Sequence, residues 1–289
     1  MTLISVDDVK RTCGLSDTDL TVIGITNAQI TEHIYDAEAW VERYCLTSFL
    51  DDKVKNISVT STTSATIELD GVSWASNLYQ NYYVYVASGT GADQYKKISS
   101  SSTSTIILDE ALSTAVDNTS KINVLYAPYI NHQDSEFNPY QSITIDGNNS
   151  NSLFPPKNPI LKVEALTINS TSVTPSNVYL YKKEGKLVLK STAEKNYFDR
   201  SSPQLVQLNY WAALNPVPRV VKKAVALYAA IGTLIQQIGG TYKDVATFSL
   251  PEISGSLGQP YINIDKVVMR LNDQLKQLLP QLPVYYKFG

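Results

Sequence analysis

The segment SGTGADQYKKIS, residues 88–99, has glycines and lysines of the kind that a phosphate-binding loop uses. A P-loop has the pattern G-x-x-x-x-G-K-[ST], in which backbone N–H groups surround the phosphates and the last hydroxyl binds magnesium. Gly89 and Gly91 are followed by ADQYKK, and Gln94 stands where a dinucleotide fingerprint has its third glycine. The flanking segments alternate like strands, so no helix N-terminus would face a phosphate. The sequence therefore predicts a tight β-turn here.

A second segment, NHQDSE at residues 131–136, has side chains that could contact a metal ion. His132, Asp134 and Glu136 alternate, which places them on one face of an extended chain. Catalytic metal sites usually collect ligands from separate elements, so we expect a solvated loop instead. The other histidine, His33, is predicted to be an exposed or rim residue. A hydrolase that helps cell entry is disfavoured, because no nucleophile–histidine pair or carboxylate dyad can be identified, and we predict no catalytic residue and no enzymatic activity. We also predict no metal and no cofactor.

The composition is that of a globular protein with room for more than one core, with 289 residues, 43% hydrophobic and 18% charged. A formal net charge of −3 and a pI near 5.5 argue against a globally basic nucleic-acid-binding protein, although a local basic patch is compatible with them. The N-terminal sequence has no features of a secretory signal, and no stretch approaches the roughly 18 apolar residues of a membrane span. Cys13 and Cys45 are predicted to be buried, reduced thiols of a protein folded in a cytosol.

Tyrosine is frequent in this chain, with 19 tyrosines against 6 phenylalanines and 3 tryptophans. A tyrosine packs its ring while its hydroxyl stays hydrated, which suits surfaces that become interfaces. Tyrosine also favours strands. The composition leaves both explanations open.

The two ends of the chain have helical periodicity. A capping box at Thr26 and Gln29 precedes a helix predicted over 27–46, and a second helix is predicted over 217–238. A third amphipathic segment ends before Pro280. The first helix has an apolar face of Ile30, Ile34, Ala37, Val41 and Cys45, with Glu32, Glu38 and Glu42 directed away from it, and the second has a face of Val217, Val221, Ala224, Tyr228, Ile231, Ile235 and Ile238.

Between these ends the period changes to two, in short segments separated by Ser, Thr, Asn and Gly, with a hairpin turn at Gly185. Because the amphipathic end helices need partners, we expect them to pack on one another. The predicted fold class is α+β, a small helical-bundle core of N- and C-terminal helices that carries a large all-β insertion. The predicted division is 1–52 for the N-terminal part of the helical core, 53–128 for an inserted β-module, 129–212 for a second β segment with a hairpin, 213–279 for the C-terminal part of the helical core and 280–289 for a C-terminal interaction tail.

The order of these elements resembles that of the head–tail connector, or adaptor, proteins of tailed bacteriophages. The resemblance covers residues 3–50 and about 158–238 and consists of element order rather than a catalytic signature. It is carried by ISVDDVKRTCGL, AEAWVERYCLTSF, PILKVEALTINSTSVTPSNVYLYKKEGKLVL, VQLNYW and the helix that starts VPRVVKKAVALYAA.

Residues 73–124 resemble a second pattern, a small β-module inserted in various phage structural proteins. That module has a strand, SGTGAxQ, a basic strand, a Ser/Thr/Asn turn, another strand and DxTS before a last strand. This chain has Asp117, Thr119 and Ser120 in place, but Asp93 where a glycine is commoner. By this resemblance the segment SGTGADQYKKI is a turn of a structural module and not a ligand loop.

The connector resemblance implies a self-assembled ring of about twelve subunits beneath the portal protein. The ring would join the portal to a tail protein or a further neck protein, with genomic DNA passing through its centre and no membrane involved. A mildly acidic protein suits such a conduit, because a basic lumen would retain the DNA. The protein would be assembled in the host cytoplasm and would reside in the virion, at the head–tail interface of the neck.

The C-terminal tail is too short to form a core by itself, so it is predicted to dock on a neighbouring subunit, the portal or the tail. The predicted interface residues are Trp40, Tyr44, Val284, Tyr285, Tyr286 and Phe288.

A different class of function is a tail or fibre protein that binds host surface glycans. Its stacking platform would be formed by Trp74, Tyr79, Tyr82 and Tyr83, although packing of these residues in a core is a simpler explanation.

Overall fold

The computed structural model describes residues 2–17, 24–63, 65–245 and 260–285. The chain divides into two compact units. Met1–Cys45 and Pro218–Val284 form a helical unit, and Leu46–Val217 forms a β-rich unit together with Tyr285. No helix within the described ranges is long and apolar enough to cross a membrane.

The helical unit is built from both ends of the chain. Ser5 caps its first helix, and Gly14, in the left-handed conformation at φ 74°, ends it. The predicted capping box of the second helix is confirmed, since the Gln29 N–H donates to Thr26 Oγ1 at 3.3 Å and the Thr26 N–H donates to Gln29 Oε1 at 2.8 Å. The helices are α1 (Val6–Cys13), α2 (Asn27–Cys45), α3 (Arg219–Val245) and α4 (Pro260–Leu278), followed by a 3-10 turn at Leu279–Gln281.

Helix α3 packs against α1, α2 and α4. The predicted apolar face of α2 is buried throughout. The prediction for the second helix is only partly correct, because Val221 and Ala224 are buried whereas Ile235 is 53% exposed. The orientation predicted for two glutamates of α2 is wrong. Glu38 and Glu42 are fully buried, and Glu38 Oε1 accepts the backbone N–H of Leu3, a partner that makes a buried carboxylate tolerable.

A closed six-stranded barrel forms the first part of the β-rich unit, in the order β1-β2-β5-β4-β3-β6. Neighbouring strands are antiparallel, and closure abolishes the exposed strand edges of an open sheet. Apolar residues at alternate positions fill the interior, among them Ile67, Val84 and Ile122. The strands are β1 (Asp51–Thr63), β2 (Thr66–Leu69), β3 (Tyr83–Ser88), β4 (Tyr95–Ser101), β5 (Thr105–Leu108) and β6 (Lys121–Tyr126).

Two further sheets complete the β-rich unit. One has four strands in the order β10-β9-β13-β7, and the other has three in the order β11-β12-β8. Their apolar faces share one core around Leu166, Leu208 and Tyr210. Short helical turns occur at Tyr129–His132, Ser135–Phe137 and Pro175–Asn177, and the strands are β7 (Tyr140–Ile145), β8 (Ser152–Leu153), β9 (Ile160–Ile168), β10 (Thr171–Val173), β11 (Val178–Tyr181), β12 (Lys186–Leu189) and β13 (Val206–Ala212).

The predicted fold class, α+β with a small helical-bundle core, is wrong. The described residues form thirteen strands in three sheets and only a few helices, so the fold is β-rich. Most of their buried apolar side chains lie in the β-rich unit. The end helices do pack on each other, but their long apolar repeats gave a stronger sequence signal than the strands, most of which have seven residues or fewer. The five-segment division of the chain stays a prediction.

Candidate interaction surfaces

The segment at residues 88–99 contains the hairpin turn between β3 and β4, as the sequence predicted. Gly89 has φ 82°, and a Cβ there would lie 2.3 Å from the backbone oxygen of Thr119. Thr90 Oγ1 donates to Asp117 Oδ2 at 2.7 Å, and Ser120 Oγ donates to the backbone oxygen of Thr90 at 2.7 Å. The SGTGADQ and DNTS segments are therefore two loops held together by hydrogen bonds. This contact explains why both segments have small and hydroxyl residues.

Gln94 is the centre of this turn and is only 5% exposed. Its Nε2 donates to the backbone oxygens of Gly91 and Thr114, both at 2.8 Å. Its Oε1 accepts from Ser113 Oγ at 2.7 Å and from the Thr114 N–H at 3.1 Å. A buried amide with these four bonds is fully satisfied. The residue that breaks the dinucleotide fingerprint is thus a structural centre of the turn.

The alternating His132, Asp134 and Glu136 do not form a metal site. Asp134 accepts the Glu136 N–H at 3.1 Å, and Glu136 Oε1 forms an ion pair with Lys157 Nζ at 2.9 Å. Across the described ranges, no group of three or more His, Cys, Asp and Glu residues could hold a metal ion.

Both cysteines are free and buried. Burial raises the pKa of the Cys13 thiol to about 12, and burial followed by the nearby Glu42 raises the pKa of Cys45 to about 12. Cys13 Sγ donates to the backbone oxygen of Ala230 at 3.6 Å. Since the nucleophile is the thiolate, neither thiol is reactive at neutral pH.

An aromatic stack runs across α2 and α3 in the helical unit. The Trp40 ring lies 4.7 Å from the Tyr228 ring and 5.5 Å from the Tyr44 ring, and both pairs are stacked. Tyr44 Oη also donates to the backbone oxygen of Leu279 at 3.4 Å. All three rings are half-buried, so each keeps part of its surface in contact with solvent.

A cavity of about 430 Å³ lies beside this stack, and we call it the Trp40 groove. Helix α3 approaches α2 closely at this groove. A Cβ on Gly232 would lie only 2.9 Å from His33 Nδ1. His33 Nε2 donates to Gln236 Oε1 at 2.7 Å, which fixes the half-buried imidazole and agrees with the predicted rim position. The residues that line the groove are His33, Asp36, Ala39, Trp40, Arg43, Tyr228 and Gly232.

The predicted interface residues of the C-terminal tail are only partly described. Val284 is 36% exposed, and Tyr285 is half-buried. Tyr286 and Phe288 lie outside the described residues. Of the six predicted residues, the structure therefore brings Trp40 and Tyr44 together in one stack.

A second exposed surface, which sequence analysis did not identify, lies on the three-stranded sheet. Phe154 is 41% exposed, Tyr179 is 54% exposed and Tyr181 is 47% exposed. Lys190 Nζ lies 4.8 Å from the centre of the Tyr179 ring, and Lys186 Nζ lies 5.8 Å and 5.9 Å from the Phe154 and Tyr181 rings. We call these five residues the aromatic–lysine face. The alternation in VYLYKKEGKLVLK was the signal that could have revealed it.

The glycan-binding platform considered from sequence is not on the surface. Tyr79, Tyr82 and Tyr83 are 5%, 6% and 2% exposed. Trp74 is half-buried, with its ring edge-on to Tyr79 at 4.6 Å. Tyr79 packs between Trp74 and Tyr82, whereas Tyr83 packs edge-on against Trp211 at 5.4 Å, so the four rings do not form one exposed platform.

No protein-family model matches the chain, and a search of curated proteins finds none that is similar to it.

Proposed function

We propose that this chain is a non-enzymatic structural protein of a tailed-bacteriophage neck. It is a head–tail adaptor that assembles into a ring under the portal and joins the portal to the next neck or tail component. Genomic DNA passes through the ring, the protein resides in the virion at the head–tail interface, and assembly takes place in the host cytoplasm. No metal or cofactor is required for this role.

The observation that carries the proposal is the Trp40 groove. Tryptophan, tyrosine and arginine are the residues that most often anchor protein interfaces. Here Trp40, Tyr44 and Tyr228 are already stacked, so little side-chain freedom remains to be lost on association. Asp36 and Arg43 at the groove supply polar groups for a rim. The groove therefore has the features of one half of a subunit contact.

A closed ring needs head-to-tail contacts, in which one surface of each subunit meets a different surface of the next. The groove supplies a concave surface for such a contact. The proposed second surface of the contact is the tail, with Val284, Tyr285, Tyr286 and Phe288, which would dock on a neighbouring subunit or on the portal. The number of about twelve subunits rests on the family resemblance.

The alternative, a tail or fibre protein that binds host glycans, has less support. Sugar binding through Trp74, Tyr79, Tyr82 and Tyr83 needs accessible ring faces. Burial of the three tyrosines leaves those faces covered.

Native mass spectrometry of the wild-type protein and of Trp40→Ala, each alone and with the portal protein of the same phage, tests the groove. Loss of an anchoring tryptophan costs about 2 kcal/mol or more at each subunit contact. We expect wild type to form a ring and Trp40→Ala to stay a folded monomer. The control is Met269→Ala on α4, which removes a 67% exposed side chain outside the groove and should leave the ring intact. Rings of Trp40→Ala at wild-type concentration would refute the role of the groove.

A further inference from the structure

We propose that the aromatic–lysine face of the β-rich unit binds single-stranded nucleic acid. The face combines exposed aromatic rings with ammonium groups on an antiparallel sheet, and these are the two components of a single-strand binding surface. This activity is additional to the proposed structural role.

The rings are exposed because of the strand alternation. In β11 the side chains of Val178 and Leu180 turn towards the core, and those of Tyr179 and Tyr181 turn outward. Outward residues two positions apart on a strand are about 7 Å apart, so each ring can accept its own base. Phe154, directly after β8, adds a third ring at 41% exposure.

The charge of this hairpin is opposite to that of the whole chain. Lys182, Lys183, Lys186 and Lys190 lie between Val178 and Lys190 with a single acidic residue, Glu184, whereas the chain has a formal net charge of −3. A locally basic face on an acidic protein is complementary to a polyanion. Lys182 and Lys183 lie in the turn, Lys186 begins β12 and Lys190 follows that strand, so ammonium groups are distributed along the hairpin. A row of phosphate groups can meet such a series of positive charges.

The positions of the lysines favour a nucleotide over a neutral sugar. In the free protein, the ammonium groups of Lys186 and Lys190 lie over the faces of the rings. A neutral sugar would displace them without giving them a new partner. A nucleotide supplies a base for the ring and a phosphate for the ammonium. Lys190 Nζ also donates to the Ser176 oxygen at 2.6 Å, which uses one of its three donors and positions the others.

The rings also favour a single strand over a duplex. The base faces of a duplex are covered by neighbouring bases, whereas unpaired bases can stack on an aromatic side chain. A sheet face with exposed tyrosines offers stacking but no helix for the major groove.

Fluorescence anisotropy of a labelled oligothymidine of about 20 nucleotides, titrated with the full-length protein, tests the proposal. The expected result is saturable binding at low salt that is tighter than binding of a duplex of the same length. Tyr179→Ala with Tyr181→Ala should weaken binding about tenfold or more, whereas Tyr179→Phe with Tyr181→Phe keeps the rings and should bind like wild type. No saturable binding, tighter duplex binding, or equal affinities of the alanine and phenylalanine pairs would overturn the proposal.

The lysines are tested separately through salt dependence. The slope of log K against log salt is negative, and Lys186→Ala with Lys190→Ala should reduce its magnitude by about 1.4, because each phosphate contact with a single strand contributes about 0.7. The control pair is Lys55→Ala with Lys276→Ala, which removes the same charge from side chains that are 59% and 66% exposed elsewhere. If the control pair reduced the magnitude of this slope equally, the effect would be one of net charge alone. That result would overturn the assignment of the phosphate contacts to this face.

Discussion

At the scale of single residues, Gly89 shows how a backbone contact holds the β3–β4 turn in place. Gly89→Ala would place a Cβ 2.3 Å from the Thr119 oxygen, in addition to the strain of an alanine at φ 82°. Gly71→Ala is the matched control, since Gly71 has φ 68° and a Cβ there would meet no heavy atom within 4 Å. The control should lose about 1 kcal/mol from left-handed strain, and Gly89→Ala should lose at least about 2 kcal/mol more. Thermal unfolding measures both losses of stability, and equal losses would contradict a close contact between Gly89 and the Thr119 backbone.

A second prediction for a single residue concerns the contribution of Glu194 to stability at low pH. Thr174 Oγ1 donates to Glu194 Oε1 at 2.6 Å, and this bond, with the neighbouring donors, lowers the pKa of Glu194 to about 2. A carboxylate with a lowered folded-state pKa stabilises the protein above its unfolded pKa, and that stabilisation is lost as the pH falls from about 4.5 towards 2. Glu194→Gln should therefore lower Tm at pH 7 and have a much smaller effect near pH 2.

Calorimetry of wild type, Glu194→Gln and the control Glu184→Gln, at several pH values, checks this prediction. Glu184 is exposed on the hairpin turn, so its variant should change Tm little at any pH. A difference between wild type and Glu194→Gln that stays constant from pH 7 to about 2 would disprove the contribution of these bonds.

At the scale of elements, the first half of the central strand β13 alternates between core and more exposed positions. Leu208 is fully buried, whereas the adjacent Gln207 is exposed. Leu208→Ala should destabilise the β-rich unit by about 2–5 kcal/mol, because it leaves a cavity that close-packed neighbours fill only in part. Gln207→Ala should change stability by less than about 0.5 kcal/mol. Urea unfolding followed by circular dichroism measures both, and similar shifts of the two midpoints would contradict this register.

The sequence was most informative where structure depends on neighbours along the chain. The Thr26–Gln29 capping box and the Gly185 turn were both predictable, because each uses residues only a few positions apart. Burial of Glu38 was not, because its partner is the backbone N–H of Leu3, on a segment far away in sequence. The periodicity of apolar residues along the chain does not identify a partner that is distant in sequence.

The same limit explains the wrong fold class and the missed surface. The barrel closes by pairing Asp51 of β1 with Tyr126 of β6, a long-range contact that no local pattern specifies. The aromatic–lysine face has a local signal in its alternation, but only the sheet shows which set of side chains turns outward. The Trp40 stack likewise depends on Tyr228 from the other end of the chain.

At the scale of the whole molecule, the proposed adaptor role predicts that subunits assemble into a ring. The helical unit provides the groove, and the β-rich unit provides a separate basic face. Ring closure can require the portal as a template, because weak interfaces form readily once the subunits are held at a high effective concentration. A preparation without portal is therefore an incomplete test of assembly.

The most direct test of the proposed adaptor role is the symmetry of particles that the purified protein forms with the proposed portal partner, imaged by negative-stain electron microscopy. The proposed adaptor role predicts rings of about twelve subunits, formed either alone or only on the portal. A protein that stays monomeric and leaves the portal unoccupied at micromolar concentration would contradict it.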